Sequence, residues 1–172
     1  ALPEAGWRWS FTIPQADVTF LALDMHHLSD YGTTFQTSHD HHKGSEQFQW
    51  YDAQTAGATS GFVVTLLNAD SRCRNLEQGA WHAMFSRGTV FITGFGYYAE
   101  RAVESNGFPY YNTCVAKPGD VYRDPKAVVC EPVASYMLLT FDRAAGRMTA
   151  ELKRLDGSVI DSQAYGARKR VK

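Results

Sequence analysis

Taken as a pattern of hydrophobic and polar positions, the chain predicts strands more readily than helices. Residues 7–13 and 18–25 are strand-like runs on either side of Pro14-Gln15-Ala16-Asp17, where proline's fixed φ suits a turn, so a first hairpin is expected. Residues 28–44 have no apolar period and are rich in Ser, Thr, Asp, Gly and His, which predicts a long surface loop. Ser45 is a suitable helix cap and Glu46 suits a first turn. Phe48 and Tyr51 lie three apart on one face, and the helix should end near Gly57. Residues 62–67 form a continuous apolar run of strand length, as expected of a central strand buried on both faces. A second helix is predicted over residues 76–86, with Ala80, Ala83 and Met84 inward and Gly88 marking its end, and a buried strand over 89–93 follows.

The last forty residues carry the clearest period. Met148, Ala150 and Leu152 alternate with Thr149, Glu151 and Lys153, which is the signature of a half-buried antiparallel strand. Asp156-Gly157 suits a tight turn because glycine tolerates positive φ, and Arg143-Ala144-Ala145-Gly146 suits a slightly longer hairpin loop. A three-stranded meander is therefore expected over residues 133–165. The fold class that follows is α+β, layered: a mixed sheet with strands 62–67 and 89–93 near its centre, the meander beside them, and two helices on one face.

Composition narrows this a little further. A chain of 172 residues fits one domain spanning 1–172, with a core over 7–165 and a basic tail over 166–172. A net charge of −1 and a pI near 6.7 provide no field that favours nucleic acid or an anionic membrane as partner. No apolar run approaches the roughly 20 residues of a spanning helix, and the amino terminus lacks the basic and apolar regions of a signal peptide.

Two side-chain groups are chemical candidates. Cys114 and Cys130 bracket a polar excursion that includes Lys117-Pro118-Gly119-Asp120, so a disulfide there would close a loop between two strands and leave Cys73 free. That bridge would imply an oxidising, extracellular or periplasmic setting. Five of the six histidines fall within residues 26–42. His26 and His27 would point to opposite faces of a continuing strand, whereas His39 and His41, two apart, can face the same way. With His42 and Asp24, Asp30 or Asp40 they form a possible zinc- or copper-like site, although no spacing matches a strong zinc signature. The other reading is an ordinary hydrophilic loop. His82 reads as a surface or packed helix histidine.

The run Thr93-Gly94-Phe95-Gly96-Tyr97-Tyr98-Ala99-Glu100-Arg101 resembles the last metal-binding turn of calcineurin-like metallophosphoesterases, the superfamily of purple acid phosphatases, which reads Gly-His-Gly-His-x-Tyr-Glu-Arg. Both glycines and the Glu-Arg are present, while Phe95 and Tyr97 stand at the imidazole positions. Other segments are similar to that family in order. Trp9-Ser10-Phe11 and residues 18–24 resemble its strand pair, and Ser45, Gln47 and Trp50 its helix opening. Residues 62–66 run into Leu67-Asn68-Ala69 where the family has His-His-Pro, and residues 136–141 and 155–161 resemble its closing hairpin. The likeness covers about residues 7–165 and the carboxyl-terminal half of the family fold, without the earlier motifs Gly-Asp-x-x-Asp and Gly-Asn-His-Asp/Glu.

What the resemblance implies is a sandwich of two sheets flanked by helices, and a hydrolysis that depends on two divalent ions. This chain would supply three ligand positions, occupied here by Leu67 (or Asn68), Phe95 and Tyr97. A degenerate domain with a binding, assembly or structural role is therefore expected, with no cofactor and no phosphatase activity of its own. The alternatives are part of a hydrolase completed by another segment or chain, with Zn, Mn or Fe, and a secreted β-rich module with a metal in its histidine loop. Half a sandwich would also leave one sheet face to be covered by another protein chain or a second copy.

Overall fold

The computed structural model describes residues 7–25, 32–34, 39–115, 119 and 121–168. His26, His27, Asp30, Lys117, Pro118, Asp120 and the last four residues of the basic tail lie outside them.

The first hairpin forms as the apolar pattern predicts: β1 (Trp9–Ile13) pairs antiparallel with β2 (Val18–Leu23). Pro14–Ala16 makes a single tight turn that closes on Asp17 in the left-handed region, φ 53°. α1 (Glu46–Gly57) starts where Ser45 Oγ accepts the Phe48 N–H at 3.2 Å and buries Gln47, Phe48, Tyr51 and Thr55. β3 (Phe62–Leu67) is the continuous apolar run. The second helix is shorter than the residues 76–86 expected. Turns at Ser71–Asn75 and Glu77–Gly79 precede α2 (Ala80–Phe85), because Glu77, Gln78 and Gly79 all have positive φ (52°, 57° and 85°), which no α-helix admits. There follow β4 (Val90–Thr93), β5 (Ala99–Val103), β6 (Pro109–Asn112), β7 (Ala127–Glu131), β8 (Ser135–Asp142), β9 (Arg147–Arg154) and β10 (Val159–Gly166).

Seven strands make one mixed sheet in the order β1-β2-β3-β4-β6-β5-β7, in which β2, β3, β4 and β6 run parallel. Both helices lie on one face, where Tyr51, Trp81 and Phe85 pack with Phe91 and Tyr110 of the sheet. The meander departs from the expected place. It is not beside the central strands but forms a separate three-stranded sheet, β10-β9-β8, on the opposite face. The alternation in β9 explains this: Met148 and Ala150 turn inward and meet Val18, Phe62, Val64, Val90, Ile92 and Tyr111. Because β3 sends Val63 to the helices and Phe62 and Val64 the other way, its two faces need two covers, and the chain supplies both.

The second sheet has a definite position over the first. On one side Phe141 of β8 meets Phe62 and Phe20, with ring centroids 5.6 and 6.4 Å apart. On the other, Tyr165 of β10 hydrogen-bonds Tyr111 of β6 at 2.7 Å, and Asp161 pairs with Arg101 of β5 at 2.7 Å. β8 thus starts just past the end of β6, where the Ser135 N–H donates to the Cys114 carbonyl at 2.8 Å, and crosses to β2 and β3, while β10 meets β6 and β5. The face expected to await another chain is covered from β2 onward by the chain itself.

Candidate functional site

Leu67, Thr93 and Asn112 end three adjacent parallel strands in register, and the turn from Gly94 to Tyr98 rises from that edge. In open sheets of this kind, ligands gather at the carboxyl ends of the strands. The geometry here is that of a turn held by hydrogen bonds to protein groups. Thr93 Oγ1 donates to the Ala69 carbonyl at 2.6 Å and accepts the Phe95 N–H at 3.3 Å. Asn112 Oδ1 accepts the Gly96 N–H at 3.0 Å, and its Nδ2 donates to the carbonyls of Gly96 and Tyr98 at 3.1 and 2.6 Å. A Cβ at Gly96 would run into the Tyr98 ring, which is a steric reason for glycine there that needs no metal. Phe95 is half-buried with its ring 6.3 Å from that of Tyr122, and Tyr97 is 48% exposed.

These residues do not fit a two-metal centre. A phenyl ring offers no lone pair and a neutral phenol is a poor ligand for the dications in question. Leu67 packs in the helix-side core and Asn68 lies exposed beyond it. Among the described residues, no group of three or more His, Cys, Asp or Glu side chains is placed to hold a metal ion.

The Glu-Arg that follows the turn is buried on β5 and has structural partners on both faces. Glu100, 2% exposed, accepts the Asp124 N–H at 2.9 Å and a hydrogen bond from the Cys130 thiol. Burial pushes its carboxyl up, against the Asp124 N–H, and the Asp124 carboxylate adds to the rise. Burial and the Glu100 carboxylate push the Cys130 thiol up. Arg101 points the other way and makes a bidentate pair with Asp161, at 2.7 and 3.2 Å, pinning the second sheet to the first. Burial disfavours the Arg101 charge, but the Asp161 carboxylate overcomes this and the net shift is upward.

Beneath Glu100 lies a buried ionic cluster that no local motif announced. Arg74, with a side chain 5% exposed, pairs with the fully buried Asp124 at 2.5 and 3.1 Å. Its Nε lies 2.6 Å from Glu104 Oε1, an ion contact and not an aligned hydrogen bond, and its guanidinium sits 5.0 Å from the Tyr110 ring. Ser71 Oγ donates to Asp124 at 2.5 Å. Burial alone would raise the Asp124 carboxyl, yet the bonds from Arg74 and Ser71 hold it below its usual range.

The three histidines of the alternative metal site each meet a different partner, although the His41 and His42 rings lie 4.8 Å apart. His39 Nδ1 lies 2.5 Å from Asp24, and its ring stacks on Trp7 at 4.2 Å. His41 is 3% exposed, its carbonyl accepts the Trp81 indole N–H at 2.9 Å, and burial with the adjacent His42 lowers its pKa. His42 Nδ1 meets Glu77 at 3.1 Å. The segment acts as a clasp joining β2, α2 and the turn before it. His82 is a packed helix histidine, 2.6 Å from the Tyr110 hydroxyl.

The expected Cys114–Cys130 bridge is corrected. All three cysteines are free. Asn112 and Cys130 both pair with Glu100, so β5 lies between β6, which ends two residues before Cys114, and β7, which carries Cys130. Strands two apart are separated by roughly 9–10 Å, beyond the ~7 Å that a disulfide spans between Cα atoms. The expectation of an extracellular or periplasmic setting loses this support.

No family model matches the sequence, and no curated protein does so. Solved structures do match it in shape. The purple acid phosphatase PPD1 from yellow lupin (Lupinus luteus) seeds superimposes with a TM-score of 0.68 at 14% identity, over 95% of this chain and 34% of that one. GAP50, described as the anchor in the inner membrane complex of Plasmodium, gives 0.64 at 9% identity, over 97% and 56%. PhoD gives 0.64 at 12% identity, over 99% and 44%. The chain therefore spans between about a third and just over half of these structures, and its α+β architecture resembles part of the fold of the purple acid phosphatase and of PhoD.

Proposed function

We propose that this chain is a metallophosphoesterase-like domain that retains the scaffold without the two-metal centre, and that it works in binding or assembly. The observation that carries this reading is the turn from Gly94 to Tyr98. Phe95 and Tyr97 stand where the resembled motif has imidazoles, and the Asn112 carboxamide holds the loop closed. A hydrolase of the resembled type needs its ions to generate hydroxide and to neutralise the phosphoryl charge. GAP50, matched in shape and described as an anchor, supports an assembly role.

The limited span of the chain against its neighbours favours one second reading, a hydrolase completed by another segment that brings most of the ligands. Incubation of the chain with an aryl phosphate and excess Mn or Zn, with parallel metal analysis, separates the two. No turnover and no stoichiometric metal are expected. Metal-dependent turnover that falls when His39 or His41 is replaced would overturn the proposal and make the histidine segment a catalytic one.

A further inference from the structure

At the carboxyl edge of the large sheet, the fold holds one imidazole in a single orientation. Asp24 follows directly on β2, and Gln47 of α1 fixes its main chain on both sides, accepting the Asp24 N–H at 2.9 Å and donating to its carbonyl at 3.0 Å. The Asp24 carboxylate lies 2.5 Å from His39 Nδ1. A carboxylate only accepts, so in the neutral ring Nδ1 carries the proton and Nε2 the lone pair. The ring is clamped as well, stacked on Trp7 at 4.2 Å with 11° between the planes. Its side chain is 43% exposed, and among the described residues Nε2 has no hydrogen-bond partner. An imidazole oriented by a carboxylate, with its second nitrogen open, is a prepared nucleophile. Two positive features flank it. The Arg8 guanidinium lies 4.2 Å from the Trp7 ring centroid, with Glu46 offsetting part of its charge, and the amino end of the 12-residue α1 stands beside Asp24.

We propose that His39 is a modification site that accepts a phosphoryl group on Nε2 from a small donor with a phosphorus–nitrogen bond. In phosphoramidate the nitrogen already carries the proton it leaves with. The Nε2 lone pair attacks phosphorus as the P–N bond breaks, and ammonia departs. The phosphorylated ring keeps its Nδ1 proton and is cationic, which the Asp24 carboxylate stabilises. Arg8 and the helix end favour an anionic electrophile over a neutral one. The group arrives on Nε2, across the ring from Asp24, so the two anions do not face each other. Water attacking phosphorus afterwards returns the imidazole and inorganic phosphate.

The experiment treats the chain with potassium phosphoramidate in EDTA and locates the adduct by peptide mass spectrometry and phosphorus NMR. His42 is the internal reference: its side chain is 53% exposed and its Nδ1 also meets a carboxylate, Glu77, at 3.1 Å. Exposure alone therefore favours labelling at His42. His39 should instead react at least about tenfold faster, and on Nε2 only. Asp24→Asn, whose amide oxygen can still accept the Nδ1 proton, should slow His39 by at least about tenfold and leave His42 unchanged. Arg8→Gln should slow phosphoramidate by about threefold and leave the neutral reagent diethylpyrocarbonate unaffected. Labelling of His42, His26 or His27 at an equal or greater rate, an Nδ1 adduct at His39, or an unchanged rate in Asp24→Asn would overturn the proposal. So would an Arg8→Gln effect equal for both reagents. If a variant loses the wild-type circular dichroism, the His39 to His42 ratio and the position of the adduct in the wild type still decide. These rates are independent of the aryl phosphate assay, so the modification site and the non-catalytic reading can fail separately.

Discussion

Against one face of the large sheet the chain sets two helices, two tight turns and a buried cluster of charges. Against the other it sets a three-stranded sheet. The helix-side face depends on directional contacts: Arg74, Asp124, Glu104, Ser71 and the Glu100 carboxylate fix the segment before β7 to a point. The meander-side face depends on the interlocking of Met148 and Ala150 with the central strands, and on two ion pairs between the sheets, Arg101–Asp161 and Arg154–Glu131. The first arrangement is closed and intolerant of lost partners. The second combines interlocking side chains with a few bonds between the sheets. Glu100 and Arg101, neighbours in β5, belong one to each, which accounts for the Glu-Arg in a turn with no imidazoles.

The strongest way to break this contrast is Asp124→Ala. It leaves the Arg74 guanidinium buried beside a single carboxylate and should cost about 3–5 kcal/mol in urea unfolding. A cost under about 1 kcal/mol would mean that the cluster is wetter or looser than its geometry. On the other face, Met148→Ala should cost about 3 kcal/mol by loss of a buried side chain and the cavity left behind. If the meander is held by shape, that loss should exceed the loss from conservative repacking to leucine, which calorimetry on both variants would show.

A subtler test uses pH. The folded Glu100 carboxyl titrates above its ordinary value of 4.5, so the wild type loses stability as pH rises from there through the folded value. Glu100→Gln removes that penalty while its carbonyl can still accept the Asp124 N–H. Its stability relative to wild type should therefore improve as pH rises above about 4.5, and a pH-independent difference between pH 4 and 7 would refute the assignment. Asp124 has the opposite sign: its folded carboxyl titrates below 3.8, so its contribution is present above that value and is lost as pH falls through the folded one.

The smallest effect belongs to the turn. Phe95→Ala should cost about 1 kcal/mol, since the ring is half-buried, against the ~3 kcal/mol of a fully buried phenyl. A larger loss measured by chemical unfolding would show that Phe95 works as a core residue, and that the turn is more rigid than its exposure suggests.

Local pattern was legible wherever the physics was local. The Ser45 cap sits where its hydroxyl can reach the Phe48 N–H, the run of residues 62–67 is a strand buried on both faces, and the alternation of residues 148–153 orients β9 correctly. The helix over residues 76–86 was overestimated because the positive φ of Glu77 and Gln78 is imposed by surroundings, and these residue types do not advertise it. The same limit applied to the thiols. A polar loop between Cys114 and Cys130 suggested a bridge, but the order of β6, β5 and β7 in the sheet decides their separation.

By itself, the sequence determined the elements, the likeness of the turn to a metal-binding motif, and the loss of its imidazoles, since each depends on residues within a few positions of one another. Only the tertiary structure decided that the meander is a second sheet and that Arg74 meets Asp124 across fifty residues. Those facts depend on how whole elements stack. Stacking is set by the sum of many weak contacts between distant segments, and no short window of residues contains that sum.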